Sequence, residues 1–259
     1  MFLGLYKDEN NNIISKKEAI TIIKDIGKCF IKPTVDSCSG QGCKLLNLKN
    51  GNDINGNYTI EKIFEDLGNN FVVQEFIKCH DSISKIYDKS ANTFRIITYR
   101  WKNEILNTPS VIRIGRNGHY LDNAHAGGIF VAIDDDGTLH DKAFSEFKEE
   151  YTIHPDSKIA FKGYKIDLFP TVLEVAKKMH SAIPQVGVVN WDFTIDISGN
   201  PILIEANIGG GSIWHTQMSH GKGPFGEKTA DILKWMNLMK HTKVEDRKKY
   251  AFGNVEYRK

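Results

Sequence analysis

No stretch of this 259-residue chain approaches the roughly eighteen consecutive apolar residues of a membrane-spanning helix. Its first residues, MFLGLYKDENNN, lack the charged leader and long apolar core of a secretory signal, so no signal peptide is expected. Charge of one sign is also missing. Lys and Arg number 34 against 32 Asp and Glu, a net charge of +2, which argues against nucleic acid or an anionic membrane as the main partner. The lysines of KHTKVEDRKKY (240–250) are interrupted by Glu245 and Asp246 and read as a solvated helix face or tail. Cysteine is scarce. Cys29, Cys38, Cys43 and Cys79 show no CxxC spacing and no nearby histidine pair, which argues against a zinc site built on them. Unpaired thiols in a chain with no leader predict a cytoplasmic setting. Internal repeats, low-complexity linkers and the phosphate-binding pattern GxxxxGK[ST] are absent too.

What is present is ordinary soluble composition, 41% hydrophobic and 25% charged, with two kinds of periodicity. Residues 16–28 carry apolar groups at helical spacing and end near Gly27, a plausible C-cap. YTIEKIFEDLG (58–68) is a short amphipathic helix closed by Gly68, and LFPTVLEVAKKMHSA (168–182) is a longer one. A last helix is expected over about 227–240. CFIKP, NFVVQEFI, TFRIITYRW, EILNTPSVIRIG and GGIFVAIDDDG read as strands, several joined by turn signals. The mixture predicts an α+β protein of two lobes.

One stretch carries chemistry. NWDFTIDISGNPILIEANIGGG (190–211) reads as a hairpin turning at Ser198–Pro201. Antiparallel pairing can set Asp192 beside Glu205, and Glu205 and Asn207, two apart, share a face. A hard divalent cation such as magnesium wants such oxygen ligands, whereas two bare carboxylates in contact repel. The alternative is a solvent-facing Asp192 with Glu205 paired to a lysine. The upstream loop DSCSGQGCK favours the cation, since a carboxylate-held metal usually serves a polyphosphate and Gly40 and Gly42 allow backbone amides to approach phosphate oxygens. Lys32 sits inside an apolar strand, where an ammonium needs an anion. Together these residues ask for a nucleoside triphosphate.

In this order the segments resemble the ATP-grasp superfamily over most of the chain. QEFIKCHDSISKIYDKSANTFRI, DNAHAGGI, HPDSK with FKGYKI, and IEAN narrow the resemblance to the sugar-transfer-associated ATP-grasp family of bacterial polysaccharide production. The resemblance implies an ATP-grasp fold, two α+β lobes clasping ATP over residues 1–76 and 77–259, with the N-terminal pre-ATP-grasp domain absent or strongly reduced. It assigns Lys32, Ser39, Gly40, Gln41 and Gly42 to the phosphates. Gln74, Glu75, Phe76 and Ile77 fall to the base, and His80, Asp81 or Asp88 to the ribose. Asp192, Glu205 and Asn207 would hold Mg2+, or Mn2+ in its place. Arg95, Arg113 and His125 would act at the transferred phosphate, although a cross-strand ion pair is the rival role for Arg113 and a packing or surface role for His125. HPDS (154–157) and SIWHTQMSH (212–220) would shape an acceptor pocket or form capped loops. Two departures stand out: Gln41 replaces a common lysine or glycine, and Asn190 replaces a common glycine.

The implied activity is a carboxylate–amine ligase working through an acyl-phosphate, with small-molecule carboxylate and amine substrates, one of them sugar-linked. With the N-terminal domain reduced, the chain is either a minimal enzyme or one whose site a homo-oligomer or a partner subunit completes. A kinase acting on a hydroxyl acceptor and a non-catalytic nucleotide-binding subunit are the competing readings.

Overall fold

The computed structural model describes residues 5–34, 42–49, 52–54, 58–68, 70–209 and 211–253. The chain divides into two compact units, Met1–Ile77 and Lys78–Lys259.

In the first unit, β1 (Tyr6–Lys7) and β2 (Ile13–Ile14) make a small antiparallel hairpin ahead of α1 (Lys16–Ile26). The helix begins where it does because Ser15 and Glu18 cap each other reciprocally: Glu18 N–H donates to Ser15 Oγ at 3.2 Å, and Ser15 N–H to Glu18 Oε2 at 2.7 Å. Gly27, at φ +76°, stops it. Next come β3 (Lys28–Pro33), β4 (Lys44–Lys49), β5 (Asn52–Asp53), α2 (Ile60–Leu67) and β6 (Phe71–Glu75). The sheet runs β5-β4-β3-β6, entirely antiparallel. Ile31 and Leu46 from the sheet pack against Ile23 of α1 and Ile60, Ile63 and Phe64 of α2, all buried.

The second unit opens with the short α3 (Asp81–Ser84) and continues β7 (Phe94–Trp101), β8 (Glu104–Asn107), β9 (Ser110–Ile114), β10 (Ile129–Ile133), β11 (Leu139–Phe144) and β12 (Glu150–Tyr151). After α4 (Phe169–Ser181) come β13 (Val188–Ile195), β14 (Pro201–Asn207), α5 (Trp214–His220) and α6 (Thr229–His241). The main sheet orders its strands β12-β11-β10-β9-β7-β13-β14, with β8 paired to β7. Period-two alternation sorts its side chains. Phe94, Ile96, Val131, Trp191 and Phe193 join Phe169, Val172, Leu173 and Ala176 of α4 in the large core. The other face carries Val111 and Phe130 beside Trp214 and Met218 of α5, and Tyr99 and Trp101 beside Ile232 and Trp235 of α6. That second face is where β7 and β13 also place charged residues.

The expected helices are present within a residue or two of their predicted ends, and β13 and β14 form the expected hairpin. Two segments differ. SIWHTQMSH contains a helix, α5, because Trp214 and Met218, four apart, supply an apolar stripe that packs on Phe130 and Val111. The polar segment at 244–253 winds as 3₁₀ turns.

Candidate active site

The register of β13 and β14 pairs Asp192 with Glu205 and Asn190 with Asn207. Four oxygen-bearing side chains therefore share one sheet face in a two-by-two patch. Register shifts just beyond Asp192, where Phe193 faces Leu203, so Ile204 is the extra residue of a bulge next to Glu205. Such bulges re-aim a neighbouring side chain. Glu205 is exposed and, among the described residues, makes no hydrogen bond or ion pair.

Asp192 is different: it is only 2% exposed. β7 pairs Arg95 with Asp192 in register. Arg95 donates from Nε to Oδ1 at 2.6 Å and from Nη2 to Oδ2 at 3.0 Å. Arg113 on β9 adds Nη2 at 3.1 Å from Oδ2. The cross-strand ion pair weighed for Arg113 is thus present, and it joins Arg113 to Arg95 rather than separating their roles. A carboxylate offers about four lone-pair positions, so these bonds leave Asp192 roughly one.

Arg113 is fixed from behind. Its Nε and Nη2 donate to Thr93 Oγ1 at 3.0 and 2.5 Å, and Nη2 lies 3.8 Å from Asp122. Thr93 in turn donates from N and Oγ1 to Asp122 Oδ2, both at 2.6 Å. Burial pulls the Arg113 pKa down, but Asp122, Asp192 and Glu205 outweigh it and leave it above the ordinary arginine value. Asp122 was not singled out from the sequence, although it lies in the LDNAHAGG segment. Gly128 of the same segment packs on it: a Cβ there would stand 2.2 Å from the Asp122 backbone oxygen.

His215, near the start of α5 and inside the SIWHTQMSH segment, is given no role of its own by the sequence. It is buried, stacks on Trp214 with ring centroids 3.7 Å apart, and its Nδ1 is without a partner among the described residues. Burial drives its pKa down to about 3, and Arg95 and Arg113 push the same way, so the ring is neutral near pH 7. Asn190 is buried, its Oδ1 has no partner among the described residues, and its side chain lies where a Cβ on Gly211 would collide.

The remaining expected residues are scattered. His125 is surface-exposed on a 3₁₀ turn, its Nδ1 2.6 Å from Glu146. His80 Nδ1 accepts from the Ser82 N–H at 3.2 Å and caps α3, while exposed Asp81 lies 4.0 Å from Lys85. His154 of HPDS is fully buried under Tyr87 and Phe161, a packing position. In the first unit, Lys32 is half-buried on β3 with no anionic partner among the described residues. Gln74 and Glu75 end β6 exposed, and Phe76 packs on Phe30 with Lys28 Nζ 3.5 Å from its ring centroid; Ile77 follows, half-buried. Gly42 has φ +75° and abuts Pro33. Ser39, Gly40 and Gln41 lie outside the described residues.

A family model for sugar-transfer associated ATP-grasp proteins matches residues 2–231. The chain belongs to that family. Its α+β architecture is accordingly the ATP-grasp fold. Among solved structures, N5-carboxyaminoimidazole synthetase from Staphylococcus aureus with ADP is similar at 16% identity and TM-score 0.45, over 79% of this chain and 42% of that one. D-alanyl-alanine synthetase A from Vibrio cholerae gives 13% and 0.46, over 84% and 55%. L-amino acid ligase from Bacillus licheniformis gives 12% and 0.39, over 75% and 34%. This ATP-grasp chain thus spans between a third and just over half of their lengths. No curated protein matches it. No helix among the described residues is long and apolar enough to cross a membrane.

Proposed function

We propose that this ATP-grasp chain is an ATP-dependent carboxylate–amine ligase that acts through an acyl-phosphate and joins an amino acid or amine to a sugar-derived acid in cell-surface polysaccharide production. The observation that carries the reading is the sheet face itself, where an unpaired, exposed Glu205 and the amide of Asn207 adjoin half-buried Arg95 and buried Arg113, both gripped by Asp192. That donor set fits a magnesium ion: one free carboxylate, one amide and the remaining lone pair of Asp192, all hard oxygen. When bound there, the ion would neutralise phosphate charge.

The chain's own residues supply the rest. Arg95 and Arg113 are held by Asp192, Thr93 and Asp122, and neither Nη1 is engaged in those bonds, so both forks present N–H donors with little freedom to reorient. Lys32 provides a further cation for phosphate, and Gln74 to Ile77 suit the base. The substrate carboxylate attacks the γ-phosphorus and ADP leaves. The amine then attacks the acyl carbon, inorganic phosphate departs and the amine gives up a proton. Catalysis of this kind rests on positioning and charge neutralisation. The departing phosphate can take that proton, and neutral His215 beside the arginines suits a hydrogen bond from the amine N–H.

The test is ADP release against panels of amino acids, amines and sugar acids, with Glu205→Ala as comparison. Turnover requiring both a carboxylate and an amine, and lost with its Mg2+ dependence in Glu205→Ala, supports the reading. Turnover with a hydroxyl acceptor alone would make the chain a kinase, and nucleotide binding without turnover a non-catalytic subunit.

A further inference from the structure

A second cluster on the same sheet face owes nothing to the ligase reading. Asp134 follows the end of β10, His140 lies on β11, and His220 is the last residue of α5. One ligand atom from each lies within 4.8 Å of the others. His140 Nε2 is 2.9 Å from Asp134 Oδ1, and the two imidazole rings are 4.8 Å apart between centroids.

His220 shows what the cluster is for. Its Nε2 lies 2.7 Å from the Ser110 carbonyl oxygen. A carbonyl can only accept, so Nε2 carries the hydrogen, and in a neutral ring Nδ1 is then a bare lone pair. That Nδ1 is buried and has no donor among the described residues. A buried acceptor with nothing to accept from is costly unless an electrophile meets it. The carbonyl bond on the far nitrogen is the arrangement that fixes the tautomer and orientation of metal-ligating histidines.

The geometry points to a divalent transition cation of the zinc class held by Asp134, a ring nitrogen of His140 and His220 Nδ1. Two imidazoles and one carboxylate select such ions over magnesium. Zinc bonds of about 2.0–2.1 Å put tetrahedral ligands roughly 3.4 Å apart, and ligand atoms already within 4.8 Å of one another need shifts of no more than about 1.4 Å to reach that spacing. A cavity of about 390 Å³ also borders Asp134 and His220, leaving room for a fourth ligand from solvent. The ion would fasten the end of α5 to the β10–β11 hairpin, and α5 carries His215 near its other end.

The decisive experiment titrates Zn2+ into untagged, chelator-stripped protein against a chromophoric competitor, with Co2+ absorption as a second readout. Wild type should bind one equivalent with a tetrahedral Co2+ spectrum and an upward shift in Tm. His140→Ala and Asp134→Asn should each weaken binding at least ten-fold and abolish the Tm shift, while Glu205→Ala keeps both. Both ligand variants alter exposed or half-exposed side chains, and circular dichroism confirms that they are folded. Zinc binding that survives in both ligand variants, or that disappears in Glu205→Ala, overturns the assignment and leaves the ligase reading standing. So does a wild type that binds no zinc.

Discussion

Asp192 and Glu205 face each other across one pair of strands, yet their loss should have very unequal consequences for stability. Asp192→Asn keeps the shape of a side chain only 2% exposed but removes the charge that accepts two N–H bonds from Arg95, at 2.6 and 3.0 Å, and pairs with Arg113 at 3.1 Å. Arg113 retains Asp122 at 3.8 Å, whereas Arg95 has no other acidic partner among the described residues. Breaking a buried pair this way leaves uncompensated charge and costs about 3–5 kcal/mol. Glu205→Gln changes an exposed, unpaired side chain and should stay within about 0.5 kcal/mol of wild type. All four tryptophans, Trp101, Trp191, Trp214 and Trp235, lie in the second unit, so urea unfolding followed by tryptophan fluorescence reports on that unit alone. Both variants should lose ligase turnover. A stability for Asp192→Asn within about 1 kcal/mol of wild type, or an equal loss in Glu205→Gln, would refute the claim that Asp192 is chiefly an arginine anchor.

Three further outcomes follow from the same structure. Thr98 Oγ1 accepts from Trp191 Nε1 and donates to His180 Nδ1, both at 2.7 Å, so Thr98→Val should cost about 2–4 kcal/mol in the urea assay by orphaning two buried groups, and a cost below about 1 kcal/mol would contradict it. Burial holds His154 and His180 below the ordinary histidine range, so the unfolded chain takes up protons first as pH falls. Stability should be full above about pH 6.5 and decline below it, and urea midpoints at pH 7.5 and 5.5 that coincide would count against this. Gly128→Ala should cost about 1–3 kcal/mol and reduce turnover, because the new methyl meets the backbone of the residue that clamps Arg113; unchanged turnover and stability would show that the segment yields freely.

The sequence by itself determined the elements whose causes are local. The Ser15–Glu18 capping pair, the glycines that end two helices, the amphipathic spacing of α2 and the turn at 198–201 are each written within a few residues. The hairpin patch was legible for the same reason, since a 13-residue separation across a short turn and a two-residue separation along a strand leave little freedom in where the side chains point. Tertiary structure decided the rest. That Arg95 and Arg113 both close on Asp192 depends on β7 lying between β9 and β13, a strand order that no local pattern encodes. Asp122 and His215 enter the site from segments 70 and 23 positions away from Asp192 because the chain packs there. The grouping of Asp134, His140 and His220 likewise exists only because α5 lies across β10 and β11. Side-chain period is a property of each strand, whereas the meeting of charges from distant segments follows from the register and packing of the whole sheet.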